Sequence, residues 1–183
     1  MRQVSCSFVI PKLIVGAEPL ILLRIDPKWF DISLVGGHVA PEDGGDWLRT
    51  AIREIEEELA PLRHGKNFEL DVLTGDVRLA AEWSKVKEKL TSYTFRYFSM
   101  FFCGELDEVF QLLAANALVT WVRERELIEG RLRKRLSAPI RVLIEHLEGS
   151  LKLIPVSWPE VVAPGGRYTP AARPVGQWRA MRS

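Results

Sequence analysis

Four glutamates crowd the heptapeptide REIEEEL, which spans residues 53–59. At about 100° per residue on a helical wheel, Glu54, Glu57 and Glu58 share one sector, whereas Glu56 points nearly the other way. Like charges at this spacing destabilise an isolated helix by roughly 0.2–0.5 kcal/mol per pair, so the cluster requires solvent or a counter-charge. A hard divalent cation provides one, because Mg²⁺ prefers carboxylate, carbonyl and water oxygens. A solvated helix face is the alternative interpretation of the heptapeptide.

The residues before the cluster predict a helix that packs on a sheet. Asp46 can cap this helix, because a short acceptor side chain satisfies the free backbone N–H groups of the first turn. One apolar sector should lie against the sheet, beside the acidic one; it contains Leu48, Ala51, Ile52, Ile55 and Leu59.

The segment from Gly36 to Pro61 resembles the signature of the Nudix hydrolases. That signature is a glycine, five residues, Glu, seven residues and then REUxEExGU, in which U is aliphatic. Its core is matched by Arg53, Glu54, Ile55, Glu57 and Glu58, and its opening glycine loop by Gly36, Gly37, His38 and Val39.

Two departures from the signature lie at the ends of the helix. Asp43 stands where the first Glu belongs, and nine residues rather than seven separate it from Arg53, so Gly44-Gly45 is a two-residue insertion. Ala60-Pro61 replaces the final glycine and aliphatic residue. We expect both changes to be tolerated, because loop length at helix ends is less constrained than the interior of the helix.

The resemblance implies a hydrolase that cleaves the diphosphate linkage of a nucleoside diphosphate joined to another group. Mg²⁺ or Mn²⁺ would neutralise phosphate oxygens and lower the pKa of water. By the same resemblance, Glu54 and Glu58 are the principal metal ligands, and Glu57 completes the shell of a further ion. Gly37 contributes its carbonyl, and Arg53 orients the carboxylates. His38 is expected to be a loop residue rather than a ligand.

The general base and the substrate contacts are left open by the sequence. Glu105, Asp107 and Glu108 are candidate bases, although solvation explains these surface acids equally well, and Glu54 itself can take the role. Nucleobases stack on aromatic rings, so Trp29, Phe30 and Tyr97 are candidate substrate contacts. Glu105 is a fourth candidate substrate contact. Packing in the core is the alternative for aromatic residues in a central strand.

The remaining periodicity indicates an α/β layered domain, for which the resemblance implies an α/β/α sandwich with a mixed central sheet. Strands are predicted at Val4–Ile10, Leu20–Ile25, Asp31–Val35, Phe68–Leu73, Val77–Ala81, Ser92–Cys103 and Ala117–Val122. Ser92–Cys103 has aromatics at both parities, which favours a central strand covered on both faces. Helical spacing spans Arg131–Leu147, where Pro139 should kink or restart the helix.

Composition places this domain at residues 1–149 and a Pro/Arg-rich tail at 150–183. The tail can dock on its own domain or on a second subunit of a homodimer, and a flexible solubilising end is the alternative. A formal net charge of +1 gives no electrostatic reason to expect nucleic acid or a membrane as partner. Two cysteines, Cys6 and Cys103, are too few for a disulfide framework and fit a reducing, cytoplasmic location.

Two functional hypotheses therefore remain. The first is the metal-dependent pyrophosphohydrolase, favoured by the retained carboxylate cluster. The second is a Nudix-like domain that binds a nucleotide or a protein without turning it over, favoured by Asp43, by the insertion and by the absence of acids between Phe110 and Thr120.

Overall fold

The computed structural model describes residues 2–15, 18–28, 30–84, 88–132 and 134–151. Its strands are β1 (Arg2–Val15), β2 (Glu18–Ile25), β3 (Ile32–Ser33), β4 (Val35–His38), β5 (Phe68–Val72), β6 (Val77–Ser84), β7 (Lys89–Phe102) and β8 (Val119–Arg123). Its helices are α1 (Trp47–Glu58), α2 (Leu106–Ala115), α3 (Glu124–Ile128) and α4 (Ala138–Leu151), and a 3₁₀ turn covers Pro41–Asp43.

The eight strands form one mixed sheet in which β1 and β7 are central neighbours. These two strands run parallel, with Val4 opposite Tyr93 and Ile10 opposite Ser99, whereas the other pairings are antiparallel. Along its other edge β1 changes partner, pairing first with β4 and then with β2. This change of partner brings β2 and β4 together at the middle of β1.

Apolar side chains cover both faces of the sheet, as expected for a three-layer domain. One buried cluster joins α1 and α2 to the sheet and includes Val9, Leu22, Ile55, Phe98 and Val109. The other joins α3 and α4 to the opposite face and includes Phe8, Leu23, Tyr97, Leu127 and Leu143. The alternation of neighbouring residues between clusters follows from the two-residue period of a strand. The predicted α/β/α sandwich with a mixed sheet is confirmed.

The prediction of β7 as a central strand is also confirmed, but two local predictions are wrong. The pair Gly36-Gly37 does not form a loop; it lies in β4, hydrogen-bonded to β1. The helix expected from Arg131 begins instead at Ala138, so its start is wrong, whereas the expectation that Pro139 kinks or restarts it is met by a restart. Pro139 lies in the first turn, where a missing N–H costs nothing. Residues before it are held by pairing, since Ser137 N–H donates to the carbonyl of Ile32.

Two helices were not predicted at all. The segment of α2 contains the candidate acids Asp107 and Glu108, yet its Val109 and Leu113 are buried on the sheet. The five-residue α3 is too short to give a periodic signal. No helix among the described residues is long and apolar enough to cross a membrane. Almost all of the predicted tail, residues 152–183, lies outside the described part of the chain.

Candidate active site

Helix α1 carries the signature residues, and its position on the sheet is fixed at its first turn. The Asp46 carboxylate accepts hydrogen bonds from the N–H groups of Leu48 (2.8 Å) and Arg49 (3.1 Å), which confirms the predicted cap. Ser7 of β1 donates its hydroxyl to the carbonyl of Trp47 (2.7 Å).

The apolar seam predicted for α1 holds along most of its length. Ala51, Ile55 and Leu59 are fully buried and Ile52 is half-buried, but Leu48 is 37% exposed. The seam therefore starts one turn later than predicted.

The two glycines of β4 allow this strand to approach β1 and α1 unusually closely. Gly36 has a φ of +136°, and a Cβ there would lie 2.2 Å from the carbonyl oxygen of Ser7. A Cβ on Gly37 would lie 2.5 Å from Oε1 of Glu54, so the carboxylate of Glu54 rests directly on the backbone of Gly37. The glycine pair thus forms the floor of the site.

Glu54 lies half-buried between this floor and Arg53. Arg53 Nη1 pairs with Glu54 Oε1 at 2.9 Å, and the Glu54 side chain is only 14% exposed. Burial raises the pKa of Glu54, while the neighbouring guanidinium of Arg53 opposes that rise.

Glu58 follows one helical turn later on the same face. The N–H of Gly36 donates to Glu58 Oε2 (3.1 Å), and Arg24 Nη1 of β2 pairs with Glu58 Oε1 (3.0 Å). Burial raises the pKa of Glu58 to about 7, against the lowering effects of Arg24 and of the Gly36 N–H. The positive charge around Glu58 is therefore too weak to keep its pKa at the ordinary value of a glutamate.

The C-terminal end of α1 is held from a second helix. The side-chain amide of Asn116, the residue directly after α2, donates to the backbone carbonyl of Glu58 (3.1 Å). Helix ends leave carbonyls without partners, so this bond satisfies one of them and fixes the backbone of Glu58.

Asp43 reaches Arg53 in spite of the two-residue insertion. Gly44 and Gly45 have φ values of +64° and +78° with open space around them, so the extra residues form a left-handed turn directed away from the site. Asp43 is 3% exposed and accepts hydrogen bonds from Arg53 Nη2 (3.1 Å) and Thr50 Oγ1 (2.8 Å). The hydrogen bond from Arg53 is the main reason that the pKa of Asp43 is lowered to about 2.

Glu57 is much more exposed than Glu54 and Glu58. Its side chain is 60% exposed and pairs with Arg53 Nη1 at 3.2 Å. Glu56 points away, as predicted, and accepts a hydrogen bond from the N–H of His64 (3.0 Å). The place of Glu57 in a metal site stays a prediction.

The donor set of the site fits a divalent cation through at least two carboxylates, those of Glu54 and Glu58. Among the residues that the structure describes, no three Asp, Glu, His or Cys side chains are arranged as a metal cluster. Glu54 and Glu58, however, are half-buried oxygen donors on one helix face, and burial raises the pKa of both. A dication beside them would supply the charge that this face lacks, and its remaining ligands would be waters or backbone carbonyls, which suits Mg²⁺.

The structure describes three of the four predicted substrate contacts, which are Phe30, Tyr97 and Glu105. Tyr97 is fully buried on the face opposite α1, and its hydroxyl donates to the carbonyl of Pro139 (2.8 Å), which favours the core interpretation. Phe30 is 67% exposed with a φ of 55° and remains available to a ligand. Trp29 lies outside the described residues. Glu105 precedes α2 and, like Glu108, is exposed, whereas the side chain of Asp107 is not among those described.

Sequence reasoning missed two residues of the site, Arg24 and Asn116. Arg24 comes two residues after the buried Leu22, so strand alternation directs both side chains towards α1. This signal was present in the sequence but could be used only once the position of β2 was known. Asn116 gives no such signal, because its partner is 58 residues away.

No family model matches the chain, and no curated protein matches it. Among solved structures, the chain is similar to Shewanella oneidensis NrtR bound to a 27-mer DNA, with 12% identity, a TM-score of 0.56 and coverage of 81% of this chain. It spans 62% of that NrtR chain.

The NUDIX domain of the same NrtR, crystallised with ADP ribose, matches at 14% identity and a TM-score of 0.54, covering 82% of this chain and 90% of that one. A Nudix hydrolase from M. smegmatis, RenU, matches at 16% identity and a TM-score of 0.51, covering 83% of this chain and 88% of that one. At these identities the similarity concerns the fold, and the chain has the fold of the Nudix domains.

Proposed function

We propose that this protein is a Mg²⁺- or Mn²⁺-dependent pyrophosphohydrolase that cleaves the diphosphate linkage of a nucleoside diphosphate joined to another group. The observation that carries the proposal is the pair Glu54 and Glu58, half-buried on one face of α1 with raised pKa values. Perturbed carboxylates beside a glycine floor are costly to keep unless they have a function, and holding a cation is one that requires them.

Each residue of the site has a definable task in this reaction. Glu54 and Glu58 would hold the dication, which supplies charge neutralisation for phosphate oxygens and acidifies water. Arg53 keeps Glu54 oriented and is itself anchored by Asp43, so the carboxylate cannot turn freely on its helix. The Gly36 N–H fixes one oxygen of Glu58 and leaves the carboxylate facing the site.

Similarity to solved structures supports the class of substrate. The NUDIX domain of NrtR binds ADP ribose, which contains a diphosphate between two ribose groups. RenU is described as a Nudix hydrolase. A compound with a nucleoside diphosphate moiety is therefore the first class to test, in a cytoplasmic setting.

The proposal is tested with a panel of ADP ribose, nucleoside diphosphate sugars, dinucleoside polyphosphates and nucleoside triphosphates, each with Mg²⁺ or Mn²⁺. We expect turnover of at least one class, and loss of that turnover in Glu58→Gln. Glu56→Gln is the matched control, because it removes the same charge from the same helix on the opposite face. Equal activity in Glu58→Gln and the wild-type protein would refute the proposed site.

The similarity to NrtR favours one alternative, a domain that binds a nucleotide as a sensor without turnover. NrtR has been crystallised both with DNA and, as its NUDIX domain, with ADP ribose. Tight binding of ADP ribose with no product in either metal would support this alternative. The expectation of no nucleic-acid partner stays a prediction under both functions.

A further inference from the structure

Both oxygens of Glu58 already have partners. Oε2 accepts the Gly36 N–H at 3.1 Å, and Oε1 pairs with Arg24 Nη1 at 3.0 Å. A cation that uses Glu58 Oε1 must therefore enter the position next to the guanidinium of Arg24.

The backbone of Arg24 is fixed while its side chain has room to move. Arg24 lies in the middle strand of three, opposite Ser33 of β3 and Val119 of β8. Its side chain is 27% exposed, about twice the 13% of Glu58. A long side chain on a rigid strand can exchange one anionic partner for another without disturbing the sheet.

A guanidinium and a dication cannot share one carboxylate oxygen without a large cost. Like charges close together repel strongly at a partly buried site, where water screens them less than in bulk. The repulsion is doubled for a dication, so the arginine has to withdraw when the metal binds.

The other arginine of the site, Arg53, cannot withdraw in this way. Arg53 is held by Asp43, which is 3% exposed and which also bonds to Thr50. Moving Arg53 would leave a buried carboxylate without its counter-charge, which is strongly unfavourable. Arg24 is thus the exchangeable cation and Arg53 the fixed one.

We propose that Arg24 is an exchangeable counter-ion for Glu58, which a divalent cation displaces and which then pairs with a phosphate group of the ligand. This inference rests on the proposed function, because it requires a dication at Glu58. Metal binding and phosphate binding therefore reinforce each other. The metal takes Glu58, which Arg24 releases when phosphate binds, and the phosphate takes Arg24, which is released when the metal binds.

The test measures Mn²⁺ binding to the full-length protein by the loss of the free-ion signal in electron paramagnetic resonance, at fixed ionic strength. Arg24→Gln should bind Mn²⁺ roughly five-fold or more tightly than the wild type, the lower end of typical couplings between sites. Inorganic phosphate should tighten Mn²⁺ binding to the wild type and should have little effect on the variant.

Two further variants separate displacement from a change in overall charge. Arg125→Gln removes an exposed arginine that pairs with Glu18 and should leave Mn²⁺ affinity unchanged. Arg24→Lys retains the charge and should restore most of the wild-type affinity and phosphate response. If Arg24→Gln fails to fold, the phosphate response of the wild type decides: Mn²⁺ binding that phosphate does not tighten refutes the exchange.

The outcomes distinguish this inference from the proposed function. If the wild type binds Mn²⁺ and Arg24→Gln binds it equally or more weakly, the exchange is refuted while the metal site stands. If neither protein binds Mn²⁺, the metal site and the exchange both fall.

Discussion

Glu58→Gln should stabilise the metal-free protein at alkaline pH, although it removes a principal residue of the proposed site. The pKa of Glu58 is raised from 4.5 to about 7 by burial. Between these two values the folded protein binds a proton that the unfolded chain has already lost. The free energy of unfolding therefore falls as pH rises from about 4.5 to about 7.

The size of this loss follows from the shift. At 1.36 kcal/mol per pKa unit, a shift of about 2.5 units corresponds to about 3 kcal/mol. Glutamine carries no charge at any pH and keeps one oxygen, which can accept the Gly36 N–H, while its NH₂ group cannot accept from Arg24. Glu58→Gln should thus exceed the wild type by up to about 3 kcal/mol at pH 8, which is roughly 6–12 °C in melting temperature for a chain of this size.

The assay is urea unfolding followed by circular dichroism from pH 4.5 to pH 8 in the presence of a chelator. The two proteins should have similar stability near pH 4.5, where Glu58 is protonated, and should diverge as the pH rises. Adding Mg²⁺ or Mn²⁺ at 100 times its Kd should then stabilise the wild type by about 2.7 kcal/mol and leave the variant unchanged.

Glu56→Gln provides the control, because Glu56 points away from the site and accepts its hydrogen bond from the N–H of His64. It should follow the wild-type pH profile and retain the response to metal. If Glu58→Gln is less stable than the wild type at pH 8, the carboxylate is adequately compensated without metal. In that case the argument for a cation at this position fails.

Four other substitutions test the parts that hold the carboxylates. Asp43→Asn should lower the free energy of unfolding by about 2–3 kcal/mol at pH 7, less than for a fully buried pair because its arginine partner is 26% exposed. Urea titrations should show this deficit shrinking as pH falls through about 2, since the pKa of Asp43 is depressed and its stabilisation is lost on protonation. Gly37→Ala should keep the fold and weaken Mn²⁺ binding at least ~10-fold, because its Cβ meets only the flexible end of Glu54, whereas Gly36→Ala meets backbone and should lower the melting temperature. Asn116→Ala should cost about 1 kcal/mol, measured by thermal unfolding, through the lost bond to the end of α1.

Local patterns predicted the parts of the site that lie close together in sequence. The cap at Asp46, the buried seam through Ile55 and the outward direction of Glu56 all follow from helical periodicity and from capping chemistry. These features depend on neighbours within a few residues, so the sequence alone was enough to place them.

Features that depend on distant partners could not be predicted in this way. The resemblance indicates a glycine loop at Gly36-Gly37, yet both residues pair with β1, a partner some thirty residues away in the sequence. Helix α2 was missed because its apolar residues can be recognised as a buried helix face only once the sheet that they cover is known. The start of α4 was misplaced for a related reason, since pairing of Leu136 with Ile32 holds the preceding residues extended.

The charge arrangement explains why one departure from the signature is compatible with function. Asp43 is shorter than Glu, but the two left-handed glycines after it allow a tight turn, and its carboxylate still reaches Arg53 at 3.1 Å. The fixed pair Asp43–Arg53 then orients Glu54, whereas Glu58 is paired with Arg24 and with the Gly36 N–H. A dication would therefore meet one carboxylate that is already positioned and one that has to change partners, and the energetic response to metal should be concentrated at Glu58.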